Sequence, residues 1–227
     1  PYGPAILHSW ANFDGVHYLT IAEGGYYAQY TQALFPLYPK LMALIDEFVG
    51  NMIISGLIIS HLAFVLALIY LSKLIVIDYG PEVAKKAVVF YLAFPTSLFF
   101  ASLYTESLFL FLVLSTFYSV RLGQKRLGIV FAATASATRI IGAILLPALI
   151  VEHFHTQKSY KDKLQNPMVW IKLTPMFLSV SGLLAYMAYL YREYSDPLYF
   201  LSVQPAFGAE RSDKLIMIYQ VVYRYLK

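Results

Sequence analysis

Stretches without Asp, Glu, Lys or Arg divide this chain into a series of apolar segments. They cover residues 48–72, 87–105, 107–120, 127–138, 140–151 and 173–191. Crossing the hydrocarbon core of a bilayer takes about 20 apolar helical residues, and shorter helices are tolerated inside a bundle. A helix of a soluble protein must present one face to water, so it rarely stays uncharged over such lengths. The pattern predicts an all-α polytopic membrane protein.

Composition supports a membrane environment and excludes several kinds of chemistry. The chain is 59% hydrophobic and 13% charged, against about a quarter charged in soluble domains. It contains no cysteine, which excludes disulfides, a thiol nucleophile and a Cys-ligated metal. The net charge is +4, and the basic residues fall mainly between apolar segments without an interleaved aromatic stripe. They therefore indicate orientation in a membrane, and we expect no nucleic-acid partner.

Basic residues also predict the topology. Lys85 and Lys86 follow a polar turn at residues 78–82, Arg121 lies close to two further basic residues, and residues 153–166 form a polar loop with three lysines. The positive-inside rule places all three clusters in the cytoplasm. The opposite side then receives the amino-terminal segment, residues 104–106, Arg139 and the region after residue 191. We therefore expect the four polar side chains of these parts to converge on the outer face: Asp14, Glu106, Arg139 and Gln204.

The segment 127–151 admits two structures, because Arg139 interrupts it. As one helix, it would place the loop at residues 153–166 outside. As two short half-helices meeting at Arg139 on the outer side, it keeps that loop inside. A guanidinium in the middle of a bilayer would cost several kcal/mol, on the order of 3 or more. We favour the two half-helices for that reason.

Three regions follow from this topology. Residues 1–47 form an outer-face loop with interfacial helices, residues 48–191 form the transmembrane helix bundle, and residues 192–227 form a second outer loop and the start of a further membrane segment. The chain begins at Pro1 and ends within the apolar stretch that starts at Leu215. We therefore expect it to be a fragment of a longer protein.

The amino-terminal segment contains the strongest local signals. Residues 14–23 suit a short helix ended by Gly24 and Gly25, since glycine adopts a left-handed helix end at little cost. Asp14 and His17 fall on one face of that helix. This pair alone is a weak motif, and it fits a helix cap beside a surface histidine as well as it fits catalysis.

The longer sequence around Asp14 is more specific. FDGVHYLTIAEGGY at residues 13–26 and FPLYP at residues 35–39 resemble the membrane mannosyltransferases of the PIG-V type, which show W/F-D-x-x-H-Y-x-x-I-A-x-x-G-Y followed by F-F-P-L-Y-P. Later matches are FPTSLFFASLYTESLF at residues 94–109, T-R-x-x-G at residues 138–142 and DPLYFLSVQ at residues 196–204. Leu34 replaces a usual Phe, and Pro205 follows Gln204 where Trp is more common. The second departure puts the local acceptor or lipid contact in doubt.

The resemblance implies a GT-C-like transmembrane helix bundle with amphipathic helices in the first outer loop. It implies an inverting hexosyltransferase that moves mannose from a polyprenyl- or dolichyl-phosphate sugar to a glycan or glycolipid acceptor. Its site would face the endoplasmic reticulum lumen, or the outside of a bacterial or archaeal plasma membrane. The alternative from another class is a transporter or lipid-handling membrane protein without transfer chemistry, because broken helices with an arginine also occur in transporters.

The resemblance also implies roles for single residues. Asp14 maps to the general base that takes the proton of the attacking hydroxyl, and Arg139 would stabilise the charge growing on the departing phosphate. Glu106 has two interpretations: it favours the positive end of a helix capped by Thr105, or it contacts the acceptor or a metal beside Asp14. Whether a divalent ion takes part stays open, with Asp14 and Glu106 as its only candidate ligands. The expected substrate-binding residues are His17, Tyr26, Tyr38, Glu106, Arg139, Tyr199 and Gln204.

Overall fold

The regular structure of the computed structural model is helical throughout its described residues, which are 5–155, 173–207, 219, 220, 222 and 223. This confirms the all-α prediction. The polar loop beyond residue 155 and the apolar stretch from Leu215 lie largely outside the described residues. The α-helices are α1 (Ala5–His8), α2 (Asp14–Gly24), α3 (Leu37–Val49), α4 (Met52–Tyr79), α5 (Pro81–Ala93), α6 (Leu98–Ala101), α7 (Glu106–Arg121), α8 (Lys125–Ser136), α9 (Leu145–His155), α10 (Ser181–Tyr194), α11 (Tyr199–Ser202) and α12 (Gln204–Phe207). Short 3₁₀ turns occur at Ser9–Ala11, Thr31–Ala33, Pro95–Ser97, Ile140–Ile144 and Thr174–Val180.

Helix α4 is the longest element. Its 28 residues start where the Asn51 side chain accepts a hydrogen bond from the Ile54 amide at 3.1 Å, and they end before Gly80, whose φ is 85°. Among the described residues, α4 alone is long and apolar enough to cross a bilayer by itself. Helix α5 with Pro95–Ala101 would be a second such segment if the bent pair is one span. The helix is longer than the apolar run that predicted it, because it continues past Lys73 to Tyr79.

The apolar segment at residues 87–105 is not one continuous helix. Helix α5 ends at Ala93, and the chain turns by 76° before α6. Pro95 has no backbone N–H and disfavours the helical conformation at the residue before it. Phe94 is accordingly extended, with φ −72° and ψ 132°. This bend leads the chain to residues 102–105, which approach α2.

The prediction of two half-helices around Arg139 is confirmed. Helix α8 ends at Ser136, Arg139 is extended with φ −153° and ψ 146°, and a 3₁₀ turn leads into α9. The two half-helices are antiparallel neighbours, since Nζ of Lys125 at the start of α8 lies 2.7 Å from Nδ1 of His153 near the end of α9. Gly142 makes the reversal compact, because a Cβ there would come within 2.5 Å of the Ala135 oxygen.

The polar ends of several helices meet on the side of the molecule where Lys125 contacts His153. Arg121 at the end of α7 pairs with Asp78 of α4 at 2.8 Å and with Glu152 of α9 at 2.6 Å. The polar clusters that were predicted to share one side therefore do so for their described residues. Helix α7 rises about 1.5 Å per residue, so Glu106 at its start and Arg121 at its end are separated by roughly 22 Å.

The amino-terminal segment forms helices α2 and α3 as the sequence predicted. Gly25 has a φ of 76°, and its amide donates to the Ile21 carbonyl at 2.8 Å, which ends α2. Helix α3 begins directly after Pro36, and its Leu37 amide donates to the Ala137 carbonyl at 3.2 Å. This main-chain bond joins the amino-terminal segment to the reversal at Arg139.

Candidate active site

A cavity of about 260 Å³ lies where the amino-terminal segment meets the start of α7 and the reversal between α8 and α9. Both polar and apolar groups surround it. The lining residues are Asp14, Tyr18, Ala33, Leu34, Phe35, Thr105, Thr138, Arg139, Ile140, Phe200, Leu201 and Gln204. The four residues predicted to converge do so: three of them line this cavity, and Glu106 is bound to one of the three.

Asp14 is the first residue of α2 and is half-buried at the cavity wall. The residue in the N-cap position is Phe13, with a φ of 52°, so Asp14 is not the cap of its helix. A carboxylate in the first turn of a helix is favoured by the helix dipole. Gly15 lets α2 approach residue 103 closely, because a Cβ there would lie 3.3 Å from the Leu103 oxygen. The helix thus brings a carboxylate beside the segment that precedes α7.

Arg139 is held by the start of α7. Its Nη1 atom donates to Glu106 Oε1 at 2.8 Å and to Thr105 Oγ1 at 3.5 Å. The guanidinium carbon lies 5.9 Å from the centre of the Phe109 ring, within the range of a cation–π contact. The Arg139 side chain remains 42% exposed and that of Glu106 34% exposed. A charged group is therefore fixed in direction and still open to the cavity.

The sequence analysis missed two hydroxyl groups of this site. Thr105 is buried, and its Oγ1 lies 3.4 Å from the Tyr18 hydroxyl. Thr105 occupies the N-cap position of α7, as one of the two interpretations had it, but its side chain makes no capping hydrogen bond. Its hydroxyl instead connects α2 with Arg139. Both residues lie in segments that carry the family resemblance, because Tyr18 belongs to the block around Asp14 and Thr105 precedes Glu106. Their contact could not be predicted, because it joins residues 87 positions apart.

Burial raises the pKa of the Tyr18 hydroxyl far above its ordinary value, and the negative charges of Asp14 and Glu106 act in the same direction. The hydrogen bond with Thr105 and the positive charge of Arg139 oppose this rise. The pKa of Tyr104 is raised as well, first by burial and then by Asp14 and Glu106. Tyr18 is therefore a neutral hydrogen-bond donor over the physiological pH range.

The other predicted substrate-binding residues lie in different places. Gln204 lines the cavity, with its Nε2 donating to the Phe200 carbonyl at 3.1 Å. His17 packs against the Phe207 ring with 4.8 Å between ring centres. Tyr199 stacks on Tyr194 with 4.7 Å between centres and is not among the residues that line the cavity.

Tyr26 and Tyr38 lie deeper in the fold. Tyr38 is fully buried, and its hydroxyl binds Ser60 Oγ at 2.8 Å and donates to the Gly56 carbonyl at 3.1 Å. It joins α3 to α4 and does not line the cavity. Tyr26 donates to the Leu34 carbonyl at 2.8 Å and lines a second, more apolar cavity of about 390 Å³.

The carboxylates do not form a clustered metal site among the described residues. No group of three or more His, Asp or Glu residues in residues 5–155 and 173–207 is arranged to hold a metal ion. Glu106, one of the two candidate ligands, is paired with the Arg139 cation. Its carboxylate therefore has a defined partner that is not a metal.

Comparisons with known proteins agree with these features. The family described as mannosyltransferase (PIG-V) matches residues 4–200. The GPI alpha-1,6-mannosyltransferase 2 of Mus musculus is 26% identical over 187 residues, covering 77% of this chain and 37% of the mouse protein. The protein of the same name from Homo sapiens is 25% identical over 189 residues, covering 77% of this chain and 38% of the human protein. The chain thus spans less than two-fifths of the length of these relatives, and no solved structure matches it.

The family match includes every predicted site residue except Gln204. It spans the block around Asp14, the start of α7, the reversal at Arg139 and the segment that brings Phe200 to the cavity. This chain belongs to the mannosyltransferase (PIG-V) family.

Proposed function

We propose that this chain carries the active site of an inverting hexosyltransferase. The sugar is mannose, its carrier is a polyprenyl or dolichyl phosphate, and the acceptor is a hydroxyl of a glycan or glycolipid. The chain is part of a polytopic bundle, and the cavity opens at the lumenal or extracytoplasmic face. In a eukaryote that face is the lumen of the endoplasmic reticulum, and in a bacterium or archaeon it is the outside of the plasma membrane.

The observation that carries this proposal is one cavity that holds both Asp14 and Arg139. Glycosyl transfer from a lipid phosphate needs a group that takes a proton from the acceptor and a group that stabilises the departing phosphate. A half-buried carboxylate is suited to the first task, and a guanidinium is suited to the second because it binds phosphate with directed N–H groups. Asp14 and Arg139 come from separate elements, yet they face the same space.

The transfer is a single displacement at the anomeric carbon. Asp14 accepts the proton of the acceptor hydroxyl as its oxygen forms a bond to C1 of mannose. The bond between C1 and the phosphate oxygen breaks, and its electron pair leaves with the polyprenyl phosphate, which becomes a phosphomonoester. Arg139 stabilises the charge that accumulates on that phosphate. Attack from the face opposite the leaving group inverts the anomeric configuration.

Glu106 has a supporting role in this proposal. Its carboxylate receives the 2.8 Å hydrogen bond from Arg139 Nη1 and fixes the direction of the guanidinium. A guanidinium has several N–H donors, and among the described residues both hydrogen bonds of Arg139 come from Nη1. Its other N–H groups can therefore meet the phosphate.

The charge distribution supports the proposed location of the site. Arg121, Lys125 and Lys85 lie on the far side of the bundle from Arg139, and the positive-inside rule assigns that side to the cytoplasm. The family relatives are named for mannose transfer to GPI. From these names we extend only the mannose to this chain. The lipid-phosphate donor comes from the family resemblance, and the acceptor is left as a glycan or glycolipid hydroxyl.

The test is mannose transfer in membranes that contain the protein. Labelled polyprenyl-phosphate mannose should give label in a new product, and Asp14→Asn should lower the rate by about 10²-fold or more because the base is lost. Glu23→Gln is the matched control, because Glu23 is an exposed carboxylate of the same helix. Asp14→Asn with full activity would refute the base. Label that binds or crosses the membrane without entering a product would instead favour a transporter.

A further inference from the structure

We propose that Thr105 is a positioning residue that couples the Tyr18 hydroxyl to Arg139, and that Tyr18 donates a hydrogen bond to an oxygen of the sugar phosphate in the cavity. The identity of the ligand rests on the proposed function. The coupling itself rests on the contacts of the hydroxyl groups that the sequence analysis missed.

The donor of the Arg139–Thr105 hydrogen bond follows from the groups involved, whereas in the Tyr18–Thr105 pair either hydroxyl can donate. Arg139 can only donate, so the 3.5 Å contact from its Nη1 makes Thr105 Oγ1 an acceptor. A buried hydroxyl needs an acceptor for its own proton, and the Tyr18 oxygen lies 3.4 Å from Thr105 Oγ1. If Thr105 donates to Tyr18, the Tyr18 proton is directed away from Thr105. The chain of donors then runs from Arg139 through Thr105 to Tyr18.

The Tyr18 ring is held firmly enough for this role. It meets the Tyr38 ring edge-on, with 5.2 Å between ring centres. The Tyr38 hydroxyl is fixed in turn by Ser60 and by the Gly56 carbonyl of α4. The long helix α4 thus supports Tyr18 through Tyr38, and it limits the positions that the Tyr18 hydroxyl can take.

The cavity shows what the Tyr18 proton would meet. Tyr18 lines the same wall as Asp14, one helical turn along α2, and Arg139 and Gln204 line the other parts. Burial raises the pKa of Tyr18, so it remains a donor and does not add a negative charge. A ligand rich in oxygen acceptors fits the hydrogen-bond donors of Tyr18 and Arg139. The sugar hydroxyls and phosphate oxygens of the proposed lipid-phosphate sugar are such acceptors.

The decisive experiment compares single and double variants in the transfer assay. Tyr18→Phe and Thr105→Val should each lower kcat about tenfold with a smaller change in KM, because each removes one hydrogen bond of the coupled set. Thr105→Ser keeps the hydroxyl and should stay within about twofold of wild type. The double variant Tyr18→Phe with Thr105→Val should be no slower than the slower single variant, since coupled groups are not additive.

Thr116→Val is the matched control. Thr116 is buried on the same helix α7, and its hydroxyl donates to the Leu112 carbonyl at 2.7 Å, far from the cavity. This variant should keep wild-type kcat. Wild-type kcat in Thr105→Val, failure of Thr105→Ser to restore activity in a folded protein, or additive losses in the double variant would overturn the coupling.

A binding measurement separates this inference from the proposed function. Mannose 1-phosphate is titrated into the purified protein by calorimetry, and Thr105→Val should weaken binding several-fold relative to Thr116→Val. Binding with this difference but no transfer by the wild type would support the coupling and refute the transferase. Equal binding by both variants would overturn the coupling.

Discussion

Two arginines form ion pairs at opposite ends of α7: Arg121 is its last residue, and Arg139, from the reversal between α8 and α9, contacts its first residue, Glu106. They differ in the number of their carboxylate partners and in their surroundings. Arg121 contacts Asp78 and Glu152, from two other helices. Arg139 contacts Glu106 alone among carboxylates within 4.0 Å in the described residues, and it lines a cavity that also holds Asp14. The charge of a cation that contacts two carboxylates is fully compensated, so it has little attraction left for a further anion. A cation with one partner, beside an open space, can still bind an anionic ligand.

We interpret the Arg121 pairs as structural and, under the proposed function, the Arg139–Glu106 pair as part of the active site. Arg121 ties α7 to α4 and α9 at the end that we assign to the cytoplasm, and Glu152 there is only 13% exposed. Glu106 is more exposed than Glu152 but less exposed than Asp78, and Arg139 and Arg121 are similarly exposed. Arg139 and Glu106 hold α7 to the reversal between the half-helices. An arginine–carboxylate pair beside a cavity does not by itself indicate catalysis, because Arg121 and Asp78 also line a cavity, of about 220 Å³. Arg139 differs in having one carboxylate partner within 4.0 Å among the described residues and in sharing its cavity with Asp14.

Removal of the two arginines should give the largest contrast in activity. Arg139→Gln should lower kcat by about 10²-fold to 10³-fold, because one stabilising donor group for the developing charge is lost. Arg121→Gln should leave the kcat of the folded fraction near wild type. Both are measured with labelled polyprenyl-phosphate mannose, normalised to folded protein. An equal loss of kcat in the two variants would remove the distinction between the two ends.

Stability should show the reverse order. Arg121→Gln leaves Asp78 and the nearly buried Glu152 without their cation, at a cost of about 1–3 kcal/mol in the free energy of unfolding. Arg126→Gln is the control, because Arg126 is an exposed residue at the start of the neighbouring helix α8. Thermal unfolding in detergent measures the difference. If Arg121→Gln melts at the same temperature as Arg126→Gln, the three-helix ion pair contributes no stability.

The carboxylate partners should differ more modestly. Glu106→Gln keeps an oxygen that accepts from Arg139 but loses the charge, and a charge-assisted bond is about twice as strong as a neutral one. We expect a decrease of about fivefold in kcat. Glu152→Gln should lower the melting temperature and leave kcat unchanged. A stable Glu106→Gln protein with full activity would show that Glu106 does not orient Arg139.

The smallest effect at neutral pH should come from the titration of Tyr18. Its pKa is raised in the folded state, so its contribution to stability is complete below the unfolded pKa of about 10 and declines as the pH rises above that value. Tyr18→Phe should reduce the alkaline loss of stability by up to about 1.4 kcal/mol per pH unit. Melting temperatures from pH 8 to pH 11 test this, with no difference in slope expected below about pH 10. Equal alkaline slopes in both proteins would contradict the buried, protonated Tyr18.

The sequence predicted those parts of the fold that depend on local chemistry. Gly24 and Gly25 end α2 as expected, and Arg139 marks the break between α8 and α9. The bend before Pro95 was also a local signal, but the uncharged run around it concealed the proline's effect. The distribution of basic residues predicted that Asp14, Arg139 and Gln204 share one side of the bundle, and in the structure they line one cavity.

Side-chain partners far apart in the chain could not be predicted in this way. Tyr38 belongs to the FPLYP block of the family resemblance and was predicted to bind substrate. Its hydroxyl instead joins α3 to α4. From the sequence, Thr105 was interpreted as a helix cap. That its hydroxyl lies near the Tyr18 hydroxyl depends on the packing of α2 against the start of α7. Periodicity and charge determine which face a residue occupies, whereas the partner on that face depends on tertiary packing.

The hydrogen bond from the Leu37 amide to the Ala137 carbonyl has a consequence for biogenesis. Residue 37 is synthesised well before the ribosome reaches the reversal at Arg139, so this acceptor does not exist when α3 first leaves the ribosome. The amino-terminal segment must therefore wait at the membrane surface, where water can satisfy its amide groups. The cavity is therefore complete only after the half-helices and the segment with Phe200 and Gln204 have joined the amino-terminal segment.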